Sequence, residues 1–432
     1  MAGHLAGQDT ATIDRGVRIG IMYHPGVRPG LVLLPEKATA ADSARAILAR
    51  DLDYSDRFEI ITMPGGDSVG ATTATPGPHA SAAASLNYPL YQALGADFAV
   101  GAVLTTDSAQ VTVHDVTAGT IRRVVRVKLP AVESPRFRMA VHRIADQIIA
   151  ATLGTSGIAA TRVLFVMNGK LYQIDADGAG LKELRATAGR EIMSPAWDHD
   201  GQHFAYMEFW EGHGQLFVED EGGHRRAVTD GKTLDFTPAF SPDGRTLAFS
   251  RATEEGTDVY TMNIATNCCV QRLTVGRFSD NLSPIYSPDG QRLVFVSSRA
   301  GLPQIYVMAA DGTDQQLFAP FDYGATGSSN APDWSPDGQS VTFHRDVAGT
   351  LQVFVLDVRS RTVRQLTSLG RNSDPTWAPD SRHLAFVSDR AGYRQLWVID
   401  METGRIRPLL EQSGTRLPAW SPQIPESAPS TP

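Results

Sequence analysis

The pattern of hydrophobic and polar positions changes near residue 157 of this 432-residue chain. After that point, apolar runs of four or five residues recur behind turns that contain proline and glycine, a pattern typical of short strands. Before it, such runs alternate with segments whose apolar residues lie three or four positions apart, as on one face of a helix. The chain therefore predicts an α/β N-terminal domain over residues 1–157 and an all-β domain over residues 158–422.

Six copies of one short motif, 43 to 48 residues apart, divide the all-β region. This period fits one four-stranded blade of a β-propeller. Proline at the second position is tolerated at the start of a strand, and the Ser-Pro-Asp-Gly that follows the aromatic residue suits a tight turn. The copies are Ser194 to Gly201 (SPAWDHDG), Thr237 to Gly244 (TPAFSPDG), Ser283 to Gly290 (SPIYSPDG), Ala331 to Gly338 (APDWSPDG), Asp374 to Ser381 (DPTWAPDS) and the truncated Leu417 to Pro422 (LPAWSP).

The two ends of the repeat region complement each other. No strands follow the sixth motif, whereas strand-like runs at 162–166 and 170–174 precede the first motif without an inner strand of their own. We therefore predict a six-bladed β-propeller in which the C-terminal strand at 417–422 completes the first sheet, because closure removes exposed sheet edges. The remaining tail, 423–432, has no apolar periodicity and is predicted to be disordered.

The N-terminal third predicts mixed strands and helices. The expected strands are 17–22, 31–34, 58–62, 97–104, 110–114 and 120–129, and the expected helices are 40–54, 86–94 and 135–153. The stretch 63–85 is rich in Gly, Pro, Thr, Ser and Ala and is predicted to be a mobile loop, and residues 154–157 form a short linker.

Composition and charge exclude several function classes. A hydrophobic content of 42% with 20% charged residues is typical of soluble globular proteins. The net charge of −8 argues against a nucleic-acid surface, which would carry a basic stripe. No apolar run approaches the roughly 18 residues of a membrane helix, and the chain as given carries no signal peptide.

The two cysteines, Cys268 and Cys269, are adjacent. A bridge between neighbours departs from the usual Cα separation of disulfides, so we expect two thiols near a blade turn, with a vicinal disulfide as the alternative. Neither state would identify the redox compartment.

Three patterns resemble catalytic or metal motifs but lack the required context. Gly66-Asp-Ser68-Val-Gly70 matches a nucleophile elbow, yet a poor helix start follows it. His199 and His203 have a spacing that suits a metal on a helix, but they flank a predicted turn. The Asp-Gly turns lack the ordered oxygen ligands of a calcium loop. We therefore predict no catalytic residue, no metal site and no cofactor.

An α/β domain followed by a propeller of Ser-Pro-Asp-Gly repeats resembles the TolB family, the periplasmic component of the Tol-Pal system of Gram-negative envelopes. The resemblance covers nearly the whole chain. The residues that carry it are Val17-Arg-Ile-Gly-Ile21, Arg28-Pro-Gly30, Asp51-Leu52 with Ser55 to Phe58, Ala93 to Asp97, Ser194 to Trp197, Thr237 to Gly244 and Asp374 to Ser381.

This resemblance implies a non-enzymatic protein-binding role in the periplasm. It implies docking of the peptidoglycan-associated lipoprotein Pal on a propeller face, and communication with the inner-membrane protein TolA through the N-terminal segment, residues 16–30. These contacts would support outer-membrane integrity, protein transport and cell division. The candidate residues of that segment are Val17, Arg18, Ile19, Ile21 and Arg28. Coupling between the segment and the Pal-binding face would require one two-state element that both sites bias.

Candidate partner-binding residues on the propeller directly precede the six motifs. Loops that lead into the inner strands of a propeller surround the mouth of its channel and tolerate variation. The six residues are Met193, Phe236, Leu282, Asn330, Ser373 and Arg416. The apolar ones suit an interface core, or else they cap the blades from within.

Two other function classes remain as alternatives. A peptide-hydrolase propeller would need a separate α/β-hydrolase domain, which this chain lacks. A glycoside hydrolase or a carbohydrate-binding propeller is the other alternative, although the turn differs in spacing from the Ser-x-Asp-x-Gly-x-Thr-Trp of sialidase propellers, and the sequence singles out no carboxylate pair.

Overall fold

A five-stranded sheet with three helices precedes a series of antiparallel sheets in the computed structural model, which describes residues 28–34, 42–62, 86–105, 107–320 and 327–425. The elements of the N-terminal domain are β1 (Gly30–Leu33), α1 (Asp42–Tyr54), β2 (Glu59–Ile60), α2 (Tyr88–Ala93), β3 (Phe98–Leu104), β4 (Ser108–Asp115), β5 (Thr120–Lys128) and α3 (Phe137–Leu153). Their bounds lie within two residues of the predicted ones. The predicted strand 17–22, the loop 63–85 and Ser68 lie outside the described residues.

The sheet of this domain has the strand order β2-β1-β3-β4-β5. β1 runs parallel to β2 and β3, and the last three strands are antiparallel. Successive side chains of a strand point to opposite faces. Leu31 accordingly packs with α1 and α3 on one face, while Val32 joins Tyr91 of α2 on the other. None of the helices in the described part of the chain is long and apolar enough to span a membrane.

The second domain consists of strands only and confirms the predicted propeller type of fold. Its strands are β6 (Arg162–Met167), β7 (Lys170–Asp175), β8 (Lys182–Arg185), β9 (Glu191–Trp197), β10 (His203–Trp210), β11 (His213–Asp220), β12 (Arg225–Ala227), β13 (Leu234–Phe240), β14 (Thr246–Thr253), β15 (Gly256–Asn263), β16 (Cys268–Arg272), β17 (Asn281–Tyr286), β18 (Arg292–Ser297), β19 (Gln304–Ala309), β20 (Gln316–Leu317), β21 (Ser329–Trp334), β22 (Ser340–Val347), β23 (Thr350–Asp357), β24 (Val363–Gln365), β25 (Asn372–Trp377), β26 (His383–Ser388), β27 (Gln395–Asp400), β28 (Ile406–Leu410) and β29 (Thr415–Trp420). Apolar clusters lie between adjacent sheets, as in the packing of Val294 and Phe343.

The separation of the sheets differs from the prediction of six distinct blades. Four sheets are separate and four-stranded, namely β17–β20, β21–β24, β25–β28 and β29-β6-β7-β8, whereas β9–β16 form one eight-stranded sheet. Its two halves are joined by a single parallel bridge from Gly214 to Leu234. Glycine permits this approach, because a Cβ at Gly214 would lie 2.8 Å from the carbonyl oxygen of Asp235.

The C-terminal strand β29 pairs antiparallel with β6, as the truncated sixth motif suggests. The predicted start of a disordered tail at residue 423 is wrong, because residues 423–425 bind the rest of the protein. The side chain of Gln423 donates hydrogen bonds to Asp146 and to the carbonyl of Gly157. Arg143 donates to the carbonyl oxygens of residues 424 and 425.

Cys268 and Cys269 form a vicinal disulfide, so the expectation of two thiols is wrong. That expectation relied on the geometry of ordinary disulfides. Here the backbone turns sharply at the start of β16, where Asn267 and Cys269 both have positive φ angles of 52° and 62°.

Candidate functional site: the propeller cavity and its two faces

A cavity of about 590 Å³ lies between the inner strands of the sheets. Residues from all six motif copies line it, including every proline at the second motif position. These are Pro195, Pro238, Pro284, Pro332, Pro375 and Pro418. Proline rings and aromatic side chains form much of the lining, and polar residues, including three aspartates and one histidine, lie among them. Such a lining combines shape with polar groups that can orient a bound molecule.

Each inner strand contains a bulge at the first residue of its motif. There the φ angle is positive and the register with the neighbouring strand shifts. The residues are Ser194 (50°), Thr237 (47°), Ser283 (54°), Ala331 (50°), Asp374 (52°) and Leu417 (53°). A bulge changes the direction of the side chains that follow, and here those residues line the cavity. Because the bulge stands at the same motif position in all six copies, the residues that follow it line the cavity in every copy.

The six residues that we predicted at the rim, Met193, Phe236, Leu282, Asn330, Ser373 and Arg416, occupy equivalent positions one residue before each bulge. All are half-buried. They lie within the inner strands, so their predicted placement in loops is wrong, because strand pairing continues on both sides of the bulge. The cavity lining begins one residue later on each strand, so none of the six residues, which we call the rim residues, lines the cavity itself.

The apolar rim residues also contact the blade cores. Met193 and Phe236 pack against the core between β9–β12 and β13–β16, and Leu282 packs against the core of the next sheets. Arg416 is held by Glu191, with 3.1 Å between Nη2 and Oε2. These contacts with the cores stabilise the propeller. Because the three apolar side chains are only half-buried, their exposed atoms remain accessible to a partner.

The N-terminal candidate residues Val17, Arg18, Ile19 and Ile21 lie outside the described residues. Arg28, the last of them, is half-buried and lies two residues before β1. At that point Asp97 accepts a hydrogen bond from the amide of Gly30 at 2.8 Å.

Asp333 is a half-buried acidic residue of the cavity wall that the sequence analysis missed. Its Oδ2 accepts hydrogen bonds from Thr376 Oγ1 at 3.0 Å and from the amide of Trp377 at 2.8 Å. Burial raises its pKa to about 6, although these hydrogen bonds oppose the shift. Aligning the six motifs would have revealed it, because the other copies have Ala, Ile or Thr at this position.

The first motif also differs from the repeat, since Asp198 replaces the usual turn serine. Burial and the neighbouring Asp200 raise the pKa of Asp198 to about 6. Its carboxylate lies 2.9 Å from Nδ1 of His203 and also accepts from the amides of Gln202 and His203. His199 lines the cavity, and burial lowers its pKa.

Three groups of described residues place possible metal-ligand atoms within 4.8 Å of one another. One is Asp198, Asp200 and His203. The other two lie between the domains, and they are Asp51, His142 and Asp177, and Asp56, His383 and Asp400. In each group hydrogen bonds and ion pairs within the protein already engage the carboxylates, so the contacts themselves account for the clustering.

The N-terminal domain packs against one end of the propeller, which we call the docked face. Its contacts fall on turns that follow inner strands and on turns between third and fourth strands, such as Asp380 and Arg405. The other end, which we call the open face, carries the loops that lead into the inner strands and the hairpins between second and third strands. The six rim residues lie towards this open face, since each is near the start of its strand.

One buried cluster at the docked face is centred on His142 of α3. Its Nδ1 lies 2.7 Å from Oδ2 of Asp51, and its Nε2 lies 3.6 Å from Oδ2 of Asp175 in the propeller. Burial alone would lower the pKa of His142, but the nearby carboxylate of Asp175 and the hydrogen bond with Asp51 raise it to about 9. Arg138 pairs with Asp175 and Asp177, at 3.2 and 2.7 Å, and completes the cluster.

A second buried cluster joins the end of α1 to the sheet β25–β28. Arg382 donates two hydrogen bonds to Asp400, at 2.6 and 2.7 Å, and a third to the carbonyl of Asp56. Asp56 also accepts from Arg405 at 2.9 Å. Burial opposes ionisation of Asp400, yet Arg382 and Thr403 lower its pKa to about 2. Every charge named here has an opposite partner, which is what burial of charges requires.

Comparison with known proteins identifies relatives of the propeller region. The family described as the TolB beta propeller domain matches residues 150–322 and 323–425, together more than half of the chain. The Tol-Pal system protein TolB of Francisella tularensis subsp. holarctica (strain OSU18) is 27% identical over 188 residues, which cover 40% of this chain and 42% of that protein. The chain thus matches about two fifths of the length of such curated relatives.

Solved structures extend the similarity of fold to both domains. The crystal structure of TolB from Acinetobacter baumannii has a TM-score of 0.76 at 24% identity, covering 92% of this chain and 98% of that one. A chain of the nidogen/laminin complex covers 61% of this chain and 99% of its own length, with a TM-score of 0.50 at 13% identity. At these identities the likeness concerns fold alone.

Proposed function

Because the chain belongs to the TolB β-propeller domain family, we propose that it is a non-enzymatic, protein-binding component of a Tol-Pal assembly in the cell envelope. Its compartment would be the periplasm, and its roles would be outer-membrane integrity, protein transport and cell division. The proposal assigns residues 1–157 to an N-terminal domain with a partner-binding segment and residues 158–422 to a propeller of six blades. This number of blades counts the eight-stranded sheet as two blades, β9–β12 and β13–β16, that are joined by one bridge. It also takes the pairing of β29 with β6 as the closure of the ring.

The principal partner in this proposal is a peptidoglycan-associated lipoprotein of the Pal type, bound at the open face. The observation that carries it is the geometry of the rim. Six half-buried residues at equivalent positions each precede the first cavity-lining residue of their strand, towards the face that the N-terminal domain leaves uncovered among the described residues. Interfaces of this kind combine apolar anchors with a polar edge, and Phe236 and Leu282 with Arg416 supply such a mixture.

The test uses the soluble domain of the organism's own Pal-type lipoprotein and isothermal titration calorimetry. Phe236→Ala and Arg416→Ala should each weaken binding by about 5- to 30-fold, the range expected for interface anchors. Leu181→Ala is the matched control, because Leu181 is 37% exposed in a turn on the docked face. Thermal melts of each variant separate lost affinity from lost folding. Equal affinity of all four proteins would contradict the proposed site.

A second partner in the proposal is an inner-membrane protein of the TolA type, which would bind the N-terminal segment, residues 16–30. Here the support is the family resemblance together with the position of Arg28, at the point where the chain enters β1. Deletion of residues 1–28 should abolish binding of the TolA-type protein and change the affinity for the lipoprotein domain. An unchanged lipoprotein affinity would exclude coupling between the two sites.

A further inference from the structure

Large apolar side chains are exposed at equivalent positions of two sheets on the open face. Phe278 and Leu369 each precede the bulge residue of an inner strand, Ser283 or Asp374, by five positions. Their side chains are 93% and 67% exposed. Most single exposed apolar residues need no explanation, but a repeated position in two sheets indicates a common role.

The same two sheets expose a second apolar residue each. The hairpins after β18 and β26 share the sequence Arg-Ala-Gly before Leu302 and Tyr393, which are 45% and 50% exposed. In each sheet the loop before the inner strand is hydrogen-bonded to this hairpin. The amide of Ser298 donates to the carbonyl of Asp280 at 2.9 Å, and the amide of Asp389 donates to that of Arg371 at 3.2 Å. We call Phe278 with Leu302, and Leu369 with Tyr393, the two apolar pairs.

The backbone at the exposed residue Phe278 is anchored to the neighbouring sheet. Phe278 has a positive φ angle of 59°, which is uncommon for a bulky residue, and its amide donates to the carbonyl of Glu255 at 2.9 Å. Gly256 lies beneath the same loop with φ of 130°, and a Cβ there would lie 2.7 Å from the carbonyl oxygen of Ser279. A pre-ordered loop backbone reduces the entropy that is lost when a partner binds.

An arginine accompanies each apolar pair. Arg299 stacks on Phe295 and Tyr306, with its Cζ 5.5 and 4.9 Å from the ring centroids, and donates to the neutral side chains of Asn281, Ser297 and Gln315. Arg390 stacks on Phe386 and Trp397, at 5.1 Å from each, and donates to Ser388 and Asn372.

Neither arginine has a carboxylate within salt-bridge distance in the part of the chain that the structure describes. Desolvation by burial lowers the pKa of Arg299 and of Arg390. The preceding blade differs, because there Arg251 is paired with Asp235 and Arg272 with Asp258. Two fixed cations without counter-charges beside exposed apolar groups would complement acidic groups of a partner.

We propose that the two apolar pairs, with Arg299 and Arg390, form a two-point docking surface for a protein partner that presents acidic side chains beside apolar ones. This inference rests on the proposed function, since it specifies the chemistry of the partner at the open face. The proposed surface extends the contact area from the rim residues to the loops and hairpins of the sheets β17–β20 and β25–β28. Burial of the apolar side chains supplies affinity, and the arginines select carboxylates through directed hydrogen bonds.

The first experiment titrates the soluble lipoprotein domain into Phe278→Ser, Leu369→Ser and the double variant. Each single change should weaken binding by about 5- to 20-fold, and the two effects should combine, because distant sites act independently. Arg299→Gln with Arg390→Gln should weaken binding and flatten its salt dependence. Leu181→Ser, on the docked face, is the control and should change affinity less than about twofold.

The outcomes separate this inference from the proposed function. If rim variants weaken binding while the Phe278 and Leu369 double variant does not, the function stands and the two-point surface is wrong. If the wild-type protein does not bind the lipoprotein domain, the proposed function is wrong. In that case titration with anilinonaphthalene sulfonate, an aromatic anion, decides about the surface. A saturable signal lost in the double variant but kept in Leu181→Ser would support the surface, and equal signals in all three proteins would overturn it.

Discussion

Two arginines on each face of the propeller differ in the groups that they contact. On the docked face, Arg382 pairs with Asp400 at 2.6 Å and Arg405 pairs with Asp56 at 2.9 Å, and both aspartates are buried. On the open face, Arg299 and Arg390 contact aromatic rings and neutral acceptors, and exposed apolar side chains lie beside them. Ion pairs closed within the chain, as at Arg382, serve stability, whereas Arg299 and Arg390, which lie near exposed apolar groups without a carboxylate partner among the described residues, are available to a partner.

The largest expected effect compares one arginine from each face. Arg382→Ala leaves Asp400 buried without its bidentate partner and should lower the free energy of unfolding by about 3–5 kcal/mol. Arg390→Ala removes ring contacts and hydrogen bonds to neutral acceptors, leaves no buried carboxylate without a partner, and should cost about 1 kcal/mol. Urea denaturation of both variants measures the difference. Similar losses of stability in the two would remove the distinction between the faces.

The next effect depends on pH and on His142 in the docked face. The folded pKa of about 9 lies above the ordinary value near 6.5, so the stabilisation is complete below about pH 6.5 and is lost as pH rises through 9. The contribution amounts to about 3 kcal/mol. The stability difference between wild type and His142→Gln, measured by denaturation at several pH values, should shrink over this window. A constant difference would mean that His142 does not carry a charge in the interface.

The smallest effect concerns Phe278 on the open face. Glycine adopts its positive φ angle without strain, so Phe278→Gly should raise the free energy of unfolding by up to about 1 kcal/mol, although it removes an aromatic side chain. Thermal melts detect such a shift, and Phe249→Gly at a fully buried position provides the opposite control. Destabilisation by Phe278→Gly would indicate that the side chain serves the fold.

The repeat was enough to predict the type of fold, because proline, aromatic and turn residues at a fixed period specify strands and their ends. The single bridge between β11 and β13 was not predictable, since it depends on how closely two backbones approach at Gly214. The bulges were equally hidden. Residues as different as Ala331 and Leu417 adopt nearly the same positive φ angle at the bulge, so the residue type does not predict the bulge.

The candidate site was predicted in part. The repeat predicted equivalent positions for the six rim residues, and their half-buried packing against the blade cores agrees with the alternative that they cap the blades from within. Their role as partner contacts stays a prediction. Asp333 and the repeated Arg-Ala-Gly hairpins were visible in the sequence and needed only an alignment of all copies. The docked face was not visible, because Asp51 and His142 meet Asp175 only after two domains have folded.

The central claim is that the open face binds the partner and the docked face holds the N-terminal domain. Hydrogen–deuterium exchange of the full chain, with and without the soluble lipoprotein domain, tests it most directly. The account predicts slower exchange in the open-face segments 275–280, 298–303, 368–371 and 389–394 when the partner is bound. It predicts no change at 378–383 and 400–405 on the docked face. Protection confined to the docked face would contradict it.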